Sequence, residues 1–229
     1  PTHLLLHRAQ YFMLVSMTVA QFSPRDIIIR PINLDSDADM EQLNALDSAC
    51  DEKLYSYPST TTVEERRAIL APSSYYENHR WVAEIRGQIL GIVLVSLPLK
   101  ENLGGLNFDL AVHPEAEGRG LEEALTHHAL AEAIKPSGRT HITYYGFLMQ
   151  NDSKDDPALP INRVAALLGL EPKNSAITRI APLPIPADLA QAAKGKTIAD
   201  PAYTFEVWDN HIPEQYLDSA AAAYHQLEA

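Results

Sequence analysis

The spacing of apolar and polar residues predicts an ordered series of strands and helices from residue 26 onward. Runs rich in β-branched residues predict strands, and apolar residues three or four positions apart predict helices. Strands are predicted at 26–30, 81–85, 89–97, 108–112, 141–148, 177–183 and 202–208. Helices are predicted from Ser36 through Leu54, at 63–70, 118–135 and 161–169, and from Pro213 to the end of the chain.

The order of these elements predicts an α/β fold with a mixed central sheet. The strands at 81–85 and 89–97 flank a tight turn at Arg86-Gly87-Gln88, which indicates a β-hairpin. The strand at 108–112, the helix at 118–135 and the next strand form a crossover, the connection that parallel strands require. We therefore expect an antiparallel front half and a parallel pair in one sheet flanked by helices.

The stretch VHPEAEGRGLEEAL, residues 112–125, joins a strand to a helix through two glycines. Unpaired amides and a positive dipole make helix N-termini favourable sites for phosphate groups, and glycines let a phosphate approach the backbone closely. The third glycine of a dinucleotide-binding fingerprint and the Gly-Lys-Ser/Thr of a Walker loop are both missing. From the residues alone, a phosphate site and a plain connection remain open.

Composition and charge exclude several classes of function. The 229 residues include 30 acidic and 18 basic side chains, giving a formal net charge of −12, so we do not expect a nucleic-acid partner. The single cysteine, Cys50, cannot form an intrachain disulfide, and no metal site is expected because His127 and His128 are adjacent instead of four residues apart. The apolar N-terminal run is interrupted by polar residues and is too short to span a bilayer, so a cytoplasmic location is expected.

The glycine-containing stretch resembles the acetyl-CoA-binding motif of the GNAT superfamily of N-acetyltransferases. In that motif a strand ending in Val-x-Pro leads into Arg/Gln-x-x-Gly-x-Gly/Ala and a helix. Val112, Pro114, Gly118, Arg119 and Gly120 match it, as do Leu121 and Leu125. The element order from residue 26 to about 183 is also similar to the family, and Gly169-Leu170-Glu171 resembles its Gly-Phe-Glu segment.

The resemblance implies that an amine attacks the thioester of acetyl-CoA directly, with a small amine or a protein amino group as acceptor. It also implies a splayed sheet, with a slot for the pantetheine arm between the strands at 108–112 and 141–147. The expected cofactor-binding residues are Leu110, Ala111, Val112, Glu117, Gly118, Arg119, Gly120, Leu121 and Glu122. An amide near Val112 would bind the acetyl oxygen.

Two carboxylates depart from the motif. Glu117 replaces Arg or Gln, and Glu122 replaces Gly or Ala. A carboxylate beside a diphosphate costs roughly 1 kcal/mol of affinity even when solvent screens it. Arg119 and the helix dipole offset part of this cost.

Three residues are candidates for acid–base chemistry. Asp109 lies on the cofactor strand and is the expected base, with a solvent-facing surface carboxylate as the alternative. Tyr144 and Tyr145 are the candidate acids, although one of them must point into the core or a helix interface. The tyrosine that usually donates a proton in the family corresponds here to Ala165.

We expect three regions: a poorly ordered extension at 1–22, an acyl-CoA-binding domain at 23–183 and a linker-like appendage at 184–229. The tail resembles linkers in actinobacterial proteins that carry two GNAT domains. The chain is therefore expected to be part of a longer protein with a second GNAT domain, or to form a homodimer. The alternative to an enzyme is a non-catalytic GNAT-like domain with a weakened CoA site.

Overall fold

The computed structural model describes residues 21–149, 151–173, 184–194 and 206–227. The chain divides into two compact units, Pro1–Ile177 and Thr178–Ala229. This division falls close to residue 183, where the sequence predicts the end of the acyl-CoA-binding domain. That domain boundary stays a prediction. The strand predicted at 177–183 and most of the one predicted at 202–208 lie outside the described residues.

A five-stranded sheet forms the centre of the first unit. Its strands are β1 Ile28–Pro31, β2 Tyr76–Ile85, β3 Gln88–Pro98, β4 Gly105–Val112 and β5 His141–Tyr144. They are ordered β1-β2-β3-β4-β5, with antiparallel pairing from β1 to β4 and parallel pairing between β4 and β5. The mixed α/β sheet predicted from the sequence is confirmed.

Helices cover this sheet. They are α1 Asp37–Tyr55, α2 Val63–Leu70, α3 Leu121–Ala129, the short α4 Lys135–Ser137 and α5 Pro160–Leu168. A π-helical turn, Leu130–Ile134, continues α3 and leads into α4. This helical segment provides the crossover from β4 to the parallel strand β5.

Side-chain caps fix where the first two helices begin. Ser36 accepts a 3.2 Å hydrogen bond from the backbone N–H of Asp39 and thereby caps α1, as the sequence predicts. Thr62 and Glu65 form a reciprocal capping box at the start of α2. These local bonds satisfy amides that have no partner within a helix.

Each face of the sheet has its own apolar core. Successive strand residues face opposite sides, so Val82 packs with Met40 and Leu43 of α1, whereas Ala83 belongs to the cluster under α3 and α5. Gly91 allows α3 to approach β3 closely, since a Cβ there would lie 2.9 Å from Leu125 Cδ1. The two cores hold α1 and α3 on opposite sides of β4.

Two strands differ from the predicted ranges. β2 begins at Tyr76, five residues before the predicted 81–85, because Tyr76 to Arg80 pair with the end of β3 although their polar pattern resembles a loop. β5 ends at Tyr144 instead of residue 148. Residues 145–149 continue in irregular structure despite their apolar character.

The second unit contains helices among its described residues. α6 spans Ala187–Lys194, in the expected linker-like region where no helix was predicted. α7 spans Leu217–Leu227 after a 3₁₀ turn opened by Pro213. Trp208 stacks on Tyr216 with ring centroids 6.3 Å apart. In the described part of the chain, no helix has the length and apolar character needed to cross a membrane.

Candidate acyl-CoA site

A slot opens where β4 and β5 separate. The β4–β5 ladder runs from Gly105 opposite His141 to Phe108 opposite Tyr144, whereas β4 continues to Val112. His113 donates its N–H to Leu90 on β3. Because backbone groups alternate in direction along a strand, the N–H groups of Leu110 and Val112 face the slot. No backbone partner for these two amides is found among the described residues, so a ligand lying between the strands could bind them.

A sharp turn connects β4 to α3 at the end of this slot. The backbone passes through a 3₁₀ turn, Pro114–Ala116, before Gly118 and Gly120 take positive φ angles of 68° and 97°. Glycine adopts such angles without the steric cost that other residues incur. Gly120 is the N-cap residue of α3, which begins at Leu121, so the capping position itself offers no side-chain acceptor. The turn therefore presents backbone amides beside a positive helix end.

Glu122 turns its carboxylate back into this turn. Its Oε1 accepts a 2.7 Å hydrogen bond from the backbone N–H of Gly118, and the carboxylate also accepts from its own backbone N–H. The residue is 1% exposed, and Oε2 has no hydrogen-bond partner among the described residues. Burial raises the pKa of Glu122, because the two amide bonds offset only part of the cost of desolvating its charge.

The side chain of Arg163, on α5, also lies beside this turn. Its Nη2 lies 3.4 Å from Glu122 Oε1, its Nε donates to Glu123 Oε1 at 3.0 Å, and its Nη1 donates to the carbonyl of Ala158. A Cβ added to Gly118 would lie 3.7 Å from Nη2. Sequence reasoning missed Arg163, since no local pattern connects it to a turn some 40 residues earlier.

The sheet and the turn lie within a segment that matches a known protein family. Residues 41–152 match the family model described as Acetyltransferase (GNAT) family, which covers β2 to β5, most of α1 and the whole turn. This match to the GNAT acetyltransferase family covers slightly less than half of the chain. A comparison with curated proteins found no match.

Several solved structures are similar to the chain at low identity. They include the tandem GNAT protein from the clavulanic acid biosynthesis pathway, with 22% identity over 62% of this chain and 43% of its own, at a TM-score of 0.48. A transcriptional regulator from Bacillus halodurans C-125 shares 21% identity over 67% of this chain and 99% of its own, at a TM-score of 0.47. An aminoglycoside acetyltransferase from an uncultured soil metagenomic sample shares 17% identity over 70% of this chain and 98% of its own, at 0.47. The chain thus spans less than half the length of the tandem protein.

Glu117, the other departure from the GNAT motif, has a partner that the sequence did not indicate. Lys53 Nζ contacts both of its carboxylate oxygens, at 2.6 and 2.7 Å, from the last turn of α1. The Glu117 side chain is 27% exposed. Cys50, one turn earlier on α1, donates its thiol to the carbonyl of Val112 at 3.5 Å. The C-terminal half of α1 therefore packs on the GNAT motif and compensates one of its two extra charges.

Asp109 lies in the splayed part of β4. It is in register with Leu94 on β3 and alternates with Phe108, whose side chain belongs to the core under α3. The carboxylate of Asp109 therefore points to the α1 face of the sheet. Partial desolvation raises its pKa, although the residue as a whole is exposed. A raised pKa makes a carboxylate a better proton acceptor near neutral pH.

The two candidate tyrosines have different surroundings. Tyr144 is half-buried and packs edge-on against Phe108, with centroids 5.6 Å apart. Burial raises its pKa to about 12, with smaller contributions from the charges of Glu122 and Asp109. Tyr145 is 76% exposed. The sequence-based expectation that one of the pair points into the core is confirmed, and that residue is Tyr144.

The segment before β1 lies against residues 113–120, the turn between β4 and α3 that is called the GNAT turn from here on. Gln21 Nε2 donates to the carbonyl of Gly118 at 2.7 Å, and Phe22 donates its N–H to the carbonyl of Arg119 at 2.9 Å. The Arg119 guanidinium lies 3.8 Å from the centroid of the Phe22 ring. Residues 21 and 22 thus contact the domain, contrary to the poor packing predicted for 1–22, while 1–20 lie outside the described residues.

A cavity adjoins the turn on the side of the segment before β1. It has a volume of about 370 Å³, lies between that segment and the start of α3, and is bordered by Phe22, Ile29 and Gly120. Within the described ranges, no three His, Cys, Asp or Glu side chains converge in a way that could hold a metal ion.

Proposed function

We propose that the GNAT domain transfers an acetyl group from acetyl-CoA to an amine, either on a small molecule or on a protein. The observation that carries this proposal is the free edge of β4 from Asp109 to Val112, which leads directly to the N-terminus of α3. Acetyl-CoA would supply an activated thioester. The pantetheine arm would lie in the slot beside β4, and the diphosphate would bind the amides of the turn that follows β4 along the chain.

The backbone of β4 would position the acetyl group. The N–H groups of Leu110 and Val112 face the slot and can donate to the thioester oxygen, with Ala111 between them. Donors already fixed by a strand stabilise a developing oxyanion without reorganisation. The turn from Glu117 to Glu122 would hold the diphosphate through its amides, with Arg119 contributing charge.

Asp109 is the proposed general base, because it stands beside the slot with a raised pKa. It would accept a proton from the attacking ammonium on the α1 face of the sheet. Asp109→Asn is expected to lower kcat by about 10²–10⁴-fold while leaving the Kd for acetyl-CoA within about twofold. Steady-state acetyl transfer and calorimetry on the same preparation check both values, and an unchanged kcat would contradict this role.

Tyr144 is the proposed acid for the departing thiolate. Its pKa of about 12 keeps the hydroxyl protonated at neutral pH, and its ring packs against Phe108, which lies opposite it in the last pair of the β4–β5 ladder. Tyr145 is the second candidate, although its exposure gives it no fixed orientation. Ala165 on α5, which corresponds to the family's usual proton-donating tyrosine, has no acidic side-chain group.

Binding of acetyl-CoA tests the proposal without knowledge of the acceptor. Gly120→Asp is expected to abolish binding measured by calorimetry, because φ is +97° there and an added carboxylate would repel the diphosphate. Gly138→Asp is the matched control: φ is also positive, at +66°, and no described atom lies within 4 Å of the place that an added Cβ would take. Equal binding by both variants would show that the turn is not the site.

A second candidate function is a non-catalytic GNAT-like domain that serves structure or interaction. The hydrogen bond from Gly118 to Glu122 favours it, because one amide of the turn already has an anionic partner. If wild type and Glu122→Ala both fail to bind acetyl-CoA at millimolar concentration, this second function replaces the first.

The wider setting of the domain is part of the same proposal. The resemblance of the tail to tandem-GNAT linkers supports a second GNAT domain in a longer protein, and a homodimer is the alternative. A cytoplasmic location is proposed because the N-terminal apolar run is too short to span a bilayer and a single cysteine suits a reducing compartment. Light scattering on the 229-residue chain distinguishes a monomer from a dimer.

A further inference from the structure

The GNAT turn contains an anion of its own. The Glu122 carboxylate accepts hydrogen bonds from the amides of Gly118 and Glu122 at the start of α3. Its side chain is 2% exposed, so it is held inside the turn rather than over it. Phosphate groups bind at helix N-termini through the same type of donor. The carboxylate therefore takes up part of the space and bonding that a phosphate would use.

We propose that the Glu122 carboxylate occupies the anion-binding position of this turn in the absence of ligand. A diphosphate must displace this carboxylate in order to bind, so Glu122 determines which anions the turn accepts. The inference rests on the proposed function, because it concerns the same acetyl-CoA site. A weakly bound or singly charged anion would not compete with a carboxylate that is already in place. A diphosphate, which brings several charges and acceptor oxygens, can do so.

Arg163 offers the displaced carboxylate a partner. Its Nη2 lies 3.4 Å from Glu122 Oε1, longer than a strong charge-assisted bond, so a small movement of the side chain could tighten this pair. Oε2, which has no partner among the described residues, could then gain one. The Gly118 amide would be released by the same movement. Nη2 is also close enough to Gly118 to contact an anion that enters the turn.

Glu117 does not share this property. It pairs with Lys53, and no hydrogen bond to a backbone amide of the turn is found for it among the described residues. Replacing Glu117 by Arg would place a second cation beside Lys53, so the repulsion between them would oppose the benefit to a diphosphate. The two departures from the GNAT motif therefore affect the turn differently, and Glu122 is the one that obstructs it.

The experiment compares wild type with Glu122→Ala and Glu122→Gln, with Glu123→Gln as the matched control. Glu123 is on the same helical turn and also pairs with Arg163, whereas the Gly118 amide donates to Glu122. The probes are inorganic pyrophosphate and acetyl-CoA, each titrated by calorimetry. The backbone amide of Gly118 is followed by NMR, and thermal melts verify that each variant is folded.

The expected result is that Glu122→Ala binds pyrophosphate at least about tenfold more tightly than wild type, a change that corresponds to the loss of one charged hydrogen bond. Glu122→Gln should gain less, since its amide oxygen can still accept from Gly118. Glu123→Gln should bind like wild type. The Gly118 amide signal should shift in both Glu122 variants without ligand and should shift further with pyrophosphate.

Two results would overturn the inference: equal pyrophosphate affinity in all four proteins, or no pyrophosphate binding by either folded Glu122 variant. Failure of the proposed function has a different outcome. Variants that bind pyrophosphate tightly but do not bind acetyl-CoA would leave the inference intact and remove the acetyltransferase. Acetyl-CoA binding of equal strength in all four proteins would remove the inference about Glu122 and leave the proposed acetyltransferase intact.

Discussion

At the residue scale, Glu117 and Glu122 lie on the same turn but have different energetic consequences. The negative charge of Glu117 is partly exposed and is compensated by the ammonium of Lys53. The carboxylate of Glu122 is instead buried away from solvent. From the sequence, both carboxylates were expected to weaken the binding of a diphosphate. The contacts distinguish them, because Lys53 pairs with Glu117 whereas solvent does not screen Glu122.

The raised pKa of Glu122 predicts a pH-dependent effect on stability. The folded state holds the proton more tightly than the unfolded state, so ionisation of Glu122 costs stability above its folded pKa and costs nothing below its ordinary value of 4.5. Glu122→Gln, which resembles the protonated acid, should therefore raise the free energy of unfolding at pH 7. The gain should disappear as the pH falls to about 4.

Urea denaturation at the two pH values measures this difference, with Glu123→Gln as the control for loss of one negative charge. A decrease in stability at pH 7 on removing the Glu122 charge would show that the amide bonds and Arg163 outweigh desolvation.

At the element scale, local chemistry made some boundaries predictable and others not. The Ser36 cap, the Arg86-Gly87 hairpin turn and the end of α5 at Gly169 follow from neighbouring residues, and each was predicted correctly. The early start of β2 depends on pairing with the far end of β3, and residues 76–80 carry no alternating pattern. Such long-range pairing is not encoded in a short window of sequence.

An ion network joins α1 to the edge of the sheet and predicts a difference between two aspartates. Arg30 on β1 contacts Asp39 at 2.7 Å and Glu84 at 2.9 Å, and Asp39 also accepts from the N–H of Asn33. Asp39→Asn should destabilise the fold by about 2 kcal/mol at pH 7, because it weakens several charged hydrogen bonds at a largely buried carboxylate.

Asp37 is the matched control for this change. It lies in the same helical turn and pairs with Arg67, but its side chain is 75% exposed, so Asp37→Asn should cost only about 0.5 kcal/mol. Arg30 holds the pKa of Asp39 below its usual range, so the stability from Asp39 is present above its unfolded pKa and is lost as the pH falls through its folded pKa. Equal costs for both variants in urea denaturation would exclude a structural role for the network.

At the scale of the whole molecule, segments far apart in the sequence meet at the GNAT turn. The glycines, the Val-x-Pro strand end and the following helix are contiguous, so their sequence predicted the turn, and their resemblance to the GNAT motif implied the splayed strands. Lys53, Arg163 and Gln21 reach the turn from α1, α5 and the segment before β1. Their contribution could not be predicted, since it depends on how those elements pack.

The contact of the segment before β1 predicts different effects of two truncations. Removal of residues 1–16 should change the melting temperature little. Removal of 1–22 should lower it by roughly 3–6 °C more, because it eliminates the partly buried Phe22 and the bond from Gln21 to Gly118. Calorimetric melts of both truncated chains measure this. Identical melting temperatures would show that the contact adds no stability.

Binding of acetyl-CoA by the β4–β5 slot and the glycine turn together underlies the proposed chemistry. It is measured most directly by titrating the ¹⁵N-labelled chain with acetyl-CoA and following the backbone amides. We expect the amides of Leu110, Val112, Gly118 and Gly120 to shift together and saturate at one Kd, while those of β1 remain unchanged. No shift at millimolar acetyl-CoA, or saturating shifts confined to residues away from this slot and turn, would contradict binding at this site.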